Sequence, residues 1–411
     1  MVKTFKIRLN SKIAYDTMMA LALCSQTLVL YVIAFMNKVS ILSVFTPFIM
    51  PLVYGTLAII AFKSDTIKWI KIRDVIFIFI CVLAFVYTYY RYPDNWKYIK
   101  DNLQTWILPC IPYFFLGLCF RADNESFERI SKFSCVAIVA AVFYAVYFQR
   151  SGRSFTADNM SASYAIMLNV MIVVNYAFRK RKMIPTLLAI CGYIYVIALG
   201  TRGPLVIILV YTALEMWRHS RLNTRIKVGF TGFLSLGIVM VLESNAYISL
   251  LTIFGEFLTK IGFSNRITEY MRLNSLISDS SGRDTLFTIL IERLKTRPLT
   301  GYGIYGEWQF INYSAHNLYL EVLFEFGVIA GAIIIIYYFY TYIKAIYRNP
   351  NELSVEWLLI WGCAVFVRGL FGCTIFSTSV FFLLGYMIRV NRERHFGYIL
   401  YNGNNAELSL S

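Results

Sequence analysis

His316, Arg153, Arg202 and Arg283 are the side chains around which a chemistry can be read in this sequence. Of the three histidines, His219 and His395 fall in basic segments, whereas His316 stands in SAHNLYLEV at the mouth of an apolar run. Near neutral pH an imidazole is the side chain best suited to take a proton from a hydroxyl. Arg202, in TRGP, lies between two apolar runs with almost no loop, where a charge is costly and often functional. Arg283 stands at the expected start of a helix, an end that disfavours a positive charge. A bound anion there would relieve the conflict, with backbone N–H groups and guanidinium sharing one phosphate. Arg153, in QRSGRSF, has Arg150 close enough to take its place. Each also has an ordinary reading: an arginine that snorkels or is solvated in a loop, or a satisfied interfacial imidazole. Arg368, near the final apolar hairpin, is read as structural.

The elements that must position these groups lie in the stretch 281–331. Ser281 and Asp284 have the spacing of a capping box, and Leu286, Ile289, Leu290 and Leu294 share one helical face. Pro298 stops that helix, and Gly301, Gly303 and Gly306 permit a tight, irregular return before His316-Asn317 and the run VIAGAIIIIYYFYTYI. The glycines match GxGxxG literally. They follow a helix and a proline instead of a strand, so a dinucleotide loop is rejected. No cluster of His, Asp and Glu has metal-ligand spacing, and the lone external histidine points to a metal-free site.

The chain around this stretch reads as an all-α integral membrane protein. Of 411 residues, 58% are hydrophobic and only 15% charged. Apolar windows long enough to cross a bilayer recur at 14–35, 39–62, 73–90, 103–120, 130–148, 159–178, 184–201, 203–217, 228–244, 318–343, 355–371 and 374–389. The basic start is read as an uncleaved first span, since no small-residue cleavage site stands out. The net charge of +16 sits mostly in short loops, where it sets topology and does not call for nucleic acid. Basic clusters at 63–73, 179–182, 218–227 and 389–394 mark every second loop as cytoplasmic. About twelve transmembrane helices with both termini cytoplasmic satisfy that alternation. The one long non-membrane segment, 245–316, then becomes an extracytoplasmic loop of a single membrane domain. The eight cysteines fall in or beside apolar segments without Cys-x-x-Cys, which supports neither a disulfide framework nor a zinc site.

In the order of these segments the chain resembles the O-antigen polymerase and O-antigen ligase superfamily of bacterial surface-polysaccharide enzymes. The resemblance covers about residues 150–340: RSF before a small-residue span, TRGP, then GRD…RPLTGYGI and HNLYLEVLFEFGVIAG. It implies a membrane glycosyltransferase of the bacterial inner membrane, with an external active site and no cofactor. The implied donor is an undecaprenyl-diphosphate-linked oligosaccharide, and the implied transfer is inverting and metal-independent. By position, His316 matches the base and Arg153, Arg202 and Arg283 the diphosphate-binding arginines. A polymerase passes the glycan to another lipid-linked repeat unit; a ligase passes it to lipid A–core. The polymerase is preferred because this protein type is encoded once per surface glycan in many bacteria. A chain-length regulator or a flippase is the implied protein partner. A lipid-linked sugar transporter is the rival class; it would carry charges buried mid-span, whereas these spans hold few, Glu215 among them.

Overall fold

The computed structural model describes residues 70–150, 159–199, 201–219, 283–347 and 349–408, with a few isolated positions elsewhere. The expected spans at 14–35, 39–62 and 228–244, the residue Arg153 and most of the segment 245–282 lie outside the described residues. Among the described residues there is no strand. The helices are α1 (Ile72–Arg91), α2 (Trp96–Thr105), α3 (Ile111–Cys119), α4 (Asn124–Arg150), α5 (Asn159–Lys180), α6 (Met183–Ala198) and α7 (Arg202–His219). After the undescribed stretch come α8 (Arg283–Thr296), α9 (Trp308–Ile311), α10 (Leu318–Phe326), α11 (Val328–Ile346), α12 (Glu352–Gly362) and α13 (Thr378–Leu408).

Among the described residues, four helical stretches are long and apolar enough to cross a membrane: Ile72–Arg91, Met160–Lys180, Val328–Ile346 and Glu352–Leu370. Trp106–Cys119 and Met183–Ala198 are apolar but shorter. Lipid demands that every backbone polar group be bonded within the segment, which is why runs as rich in Ile, Val and Tyr as α1 and α11 are helical. Both leave apolar faces uncovered, with Phe79, Leu83 and Tyr90 exposed on one and Ile333, Ile336 and Tyr340 on the other. Most of α5, by contrast, is enclosed by the other helices.

Three expectations about element limits are corrected. The run 318–343 is not one span. It breaks at Gly327 (φ 81), because Val328 N–H turns aside to the Pro298 carbonyl at 2.7 Å. The stretch 103–120 is interrupted by a π-helical turn, Trp106–Cys110, around Pro109, whose missing N–H cannot continue the α ladder. Nor does the helix of the expected span 374–389 stop at its end. The helix runs on, Arg389 pairs with Glu393 at 2.8 Å, and Arg392 forks onto the buried Asp74 of α1 at 2.8 and 2.5 Å.

Two further features fix the frame. Gly117 of α3 and Gly385 of α13 face each other's helices, and a Cβ on either would overlap the Phe382 or Phe114 carbonyl. Small residues thus let these two backbones touch, as in membrane helix pairs generally. At the end of α7 distant from Arg202, the fully buried Glu215 meets Arg218 at 3.2 Å and His219 at 3.1 Å. Arg179 of α5 and Glu356 of α12 join at 2.9 Å beside them.

Candidate functional site

The loop between α8 and α10 is built around a packed apolar knot. Leu290 and Leu294 of α8 bury against Tyr302, Ile311, Ala315 and Phe324, with Leu286 and Ile289 partly covered beside them. The helical face read from the sequence is therefore the face that packs. Arg283 opens this helix, two turns or about 10 Å of axis before Leu290. Its side chain, like that of Arg202 at the start of α7, lies outside the described part of the structure. A convergence of Arg153, Arg202 and Arg283 on His316 is accordingly not described.

His316 is held by its neighbours on both sides. Ala315 is fully buried in the knot, and the Asn317 side chain caps α10 by accepting from Tyr319 N–H at 3.0 Å and Leu320 N–H at 3.1 Å. Between these anchors His316 adopts φ 51, a left-handed conformation that costs an L-residue on the order of 1 kcal/mol. Its ring is half-buried, with the Tyr313 ring centroid 5.9 Å away. The surroundings over-determine an uncommon backbone and so fix the point from which the imidazole projects.

The glycine turn serves this loop and no phosphate. Gly301 N–H bonds Arg297 O, Tyr302 N–H bonds Phe324 O at 2.9 Å, and Gly303 N–H bonds Glu325 O at 2.9 Å. The last two bonds close the carbonyl end of α10 and the first continues the turn after α8, so the donors that a nucleotide loop would offer are already used. Gly301 (φ 61) and Gly303 (φ 77) press against the α10–α11 junction and against Tyr92 and Thr88 of α1. Asn95 donates to Tyr302 O at 2.8 Å and Ile304 O at 3.0 Å, clamping the turn to the end of α1.

Beneath the turn lies a group that the spacing rules passed over. Glu307, Glu321 and Glu325 are 0%, 1% and 1% exposed, and one carboxylate oxygen of each lies within 4.8 Å of the others. Glu325 accepts from Tyr305 N–H at 2.7 Å and Glu321 from Ile375 N–H at 2.9 Å. Burial pushes the Glu307 carboxyl from its ordinary 4.5 to about 8. On α10, which precedes the span of α11, burial and then the neighbouring carboxylates raise Glu325 well above the usual range. One signal was available: two glutamates four apart in LYLEVLFEFG share one face of an otherwise apolar helix. Their partner Glu307 comes from the other side of the loop, where no spacing rule reaches.

Arg368 also gains a setting. Its guanidinium lies 4.6 Å from the Tyr164 ring centroid and donates to Ser379 Oγ at 3.4 Å. The Tyr164 hydroxyl donates to Phe371 O at 3.2 Å, and Gly203, next to Arg202, is packed against that hydroxyl. Tyr164 therefore joins Arg368 to the start of α7. No known protein family, curated protein or solved structure matches the chain.

Proposed function

We propose that the protein is a membrane glycosyltransferase that polymerises a surface polysaccharide. It takes glycan from an undecaprenyl-diphosphate-linked donor and passes it to a hydroxyl of another lipid-linked repeat unit. The observation that carries this reading is His316, fixed in a left-handed turn at the start of α10, the short helix that leads into the candidate span of α11. An imidazole in that place suits a substrate anchored in the bilayer with its reacting sugar at the surface. His316 takes the proton of the attacking hydroxyl as the new glycosidic bond forms. The bond from the anomeric carbon to the diphosphate breaks on the opposite face, and the lipid diphosphate leaves with the electron pair. Arg153, Arg202 and Arg283 hold that diphosphate and stabilise its growing charge, with guanidinium forks suited to phosphate oxygens. The energy of transfer resides in the donor's own diphosphate linkage. The loop 245–316 lies on the outer face of the bacterial inner membrane in this reading, with both termini cytoplasmic.

The test is elongation of purified lipid-linked repeat units by the reconstituted protein. His316→Gln keeps volume and hydrogen-bonding capacity but cannot accept the proton, so turnover should fall by about 10²–10⁴ while donor still binds. Near-normal product from that variant would remove the base and with it the mechanism. Lipid A carrying polymer in place of lipid-linked product would make the enzyme a ligase.

A further inference from the structure

We propose that Glu307, Glu321 and Glu325 form a binding site for one hard divalent cation, which locks the Gly301–Gly306 turn onto α10. The three carboxylates come from separate parts of the fold: Glu307 from the loop, Glu321 and Glu325 from one face of α10, with Glu321 also tied to the segment after Gly372 through Ile375. All three are buried, yet the ion pairs among the described residues lie elsewhere. Glu307 supplies the separate indication of a ligand. It is completely enclosed, it points at the other two carboxylates, and neither of its oxygens has a hydrogen-bond partner of normal geometry. The second oxygens of Glu321 and Glu325 are likewise without partners. Four oxygens thus lack a hydrogen bond of normal geometry, with only the Glu307 N–H and the Trp308 indole near Glu307, in a place where an uncompensated carboxylate costs several kcal/mol.

The donor set selects the kind of ion. Carboxylate oxygens alone favour hard cations over zinc or copper, which recruit imidazole and thiolate. Magnesium dehydrates reluctantly and usually keeps several waters, which three enclosed carboxylates leave little room for, whereas calcium accepts irregular all-oxygen cages. Calcium is therefore the better match. Its role is to hold the loop together, so the site stands whether or not the glycan-transfer reading does.

The test uses the full chain purified without chelator, with metal content and thermal unfolding as readouts. About one calcium per chain should be retained, and dialysis against chelator should remove it and lower the melting temperature by several degrees. Added calcium should restore the loss at pH 8, with magnesium less effective. At pH 5 it should do little, because protons then compete with the cation for the three carboxylates. Glu307→Gln should abolish both retention and response. No retained ion and no calcium-dependent shift in the unaltered protein at pH 8 would overturn the proposal, and that result needs no variant to fold. A higher melting temperature for Glu307→Gln than for the parent at pH 8, without any calcium effect, would instead assign the cluster to shared protons. An undiminished calcium shift in Glu307→Gln would place the ion elsewhere and equally sink the site.

Discussion

His316 combines a side chain that could serve as a base with a backbone that glycine would adopt more readily. This allows chemistry and folding to be separated at one position. His316→Gly should leave the melting temperature within a degree or two of the parent, since relief of the left-handed strain offsets the extra chain entropy. Turnover should still collapse by about 10²–10⁴, as for any loss of a general base. Parent-like elongation by the glycine variant would mean that the imidazole is not used. For the anion side, Arg202→Ala and Arg283→Ala should each cost about 10²–10³ in rate, with lysine restoring only part, because an ammonium lacks the bidentate fork. Full rate in both alanine variants would leave the diphosphate without its proposed holders. The type of His316 and its place before a helix were legible in the sequence, whereas the short α10 between it and the span of α11 was not. Nor was the φ of His316, because only the burial of Ala315 and the cap from Asn317 impose it.

At the scale of elements, the sequence predicted well wherever a local rule decides. α8 begins at Arg283 and ends before Pro298, and its buried leucines are those on the periodic face. Prediction failed where a distant contact decides. The break at Gly327 depends on the Pro298 carbonyl, and the continuation of α13 past residue 389 depends on Asp74. The glycine turn carries a clear expectation. Gly301→Ala would strain a φ of 61 and push a methyl into the Glu325 and Phe324 carbonyls, parting the turn from α10. It should destabilise the protein by about 1–3 kcal/mol, and limited proteolysis should cut first between 297 and 317. Asn317→Ala should cost about 1 kcal/mol through the lost cap and lower turnover through a less fixed His316, an effect that partial rescue by Asp or Ser would identify.

For the whole molecule, the basic loops make a statement about sidedness that the helices alone do not. Reporter fusions at Asn223 and Asn349 should read cytoplasmic, and one at Ser280 external. A cytoplasmic signal at Ser280 would put His316 on the wrong side for a lipid-linked donor displayed outside. All-helical membrane architecture was legible from hydropathy alone, and among the described residues four helical stretches have the length and composition to span. The lateral arrangement was not, since hydropathy says that a segment meets lipid but not which neighbour it meets. Reciprocal contacts such as Gly117 with Gly385 are invisible until the helices are assembled.

The pair between Asp74 and Arg392 has a consequence for how the chain is made. Its partners are 318 residues apart. As the chain emerges from the ribosome, Asp74 enters α1 long before the cation that will neutralise it has been translated. Until α13 arrives and seats against α3, the nascent protein carries a carboxylate met only by the Lys71 N–H and not yet by a cation from α13. A chain cut short before Arg392 stays in that state. Quality-control proteases that recognise unsettled polar groups near the bilayer would have a ready mark on it, and completion of synthesis would erase that mark. Arg392→Met should reproduce the truncated condition in a full-length chain, costing about 3–5 kcal/mol and lowering steady-state abundance. The double variant Asp74→Leu with Arg392→Met should recover much of the loss, and pulse-chase half-lives of the two would show whether the pair acts as the checkpoint.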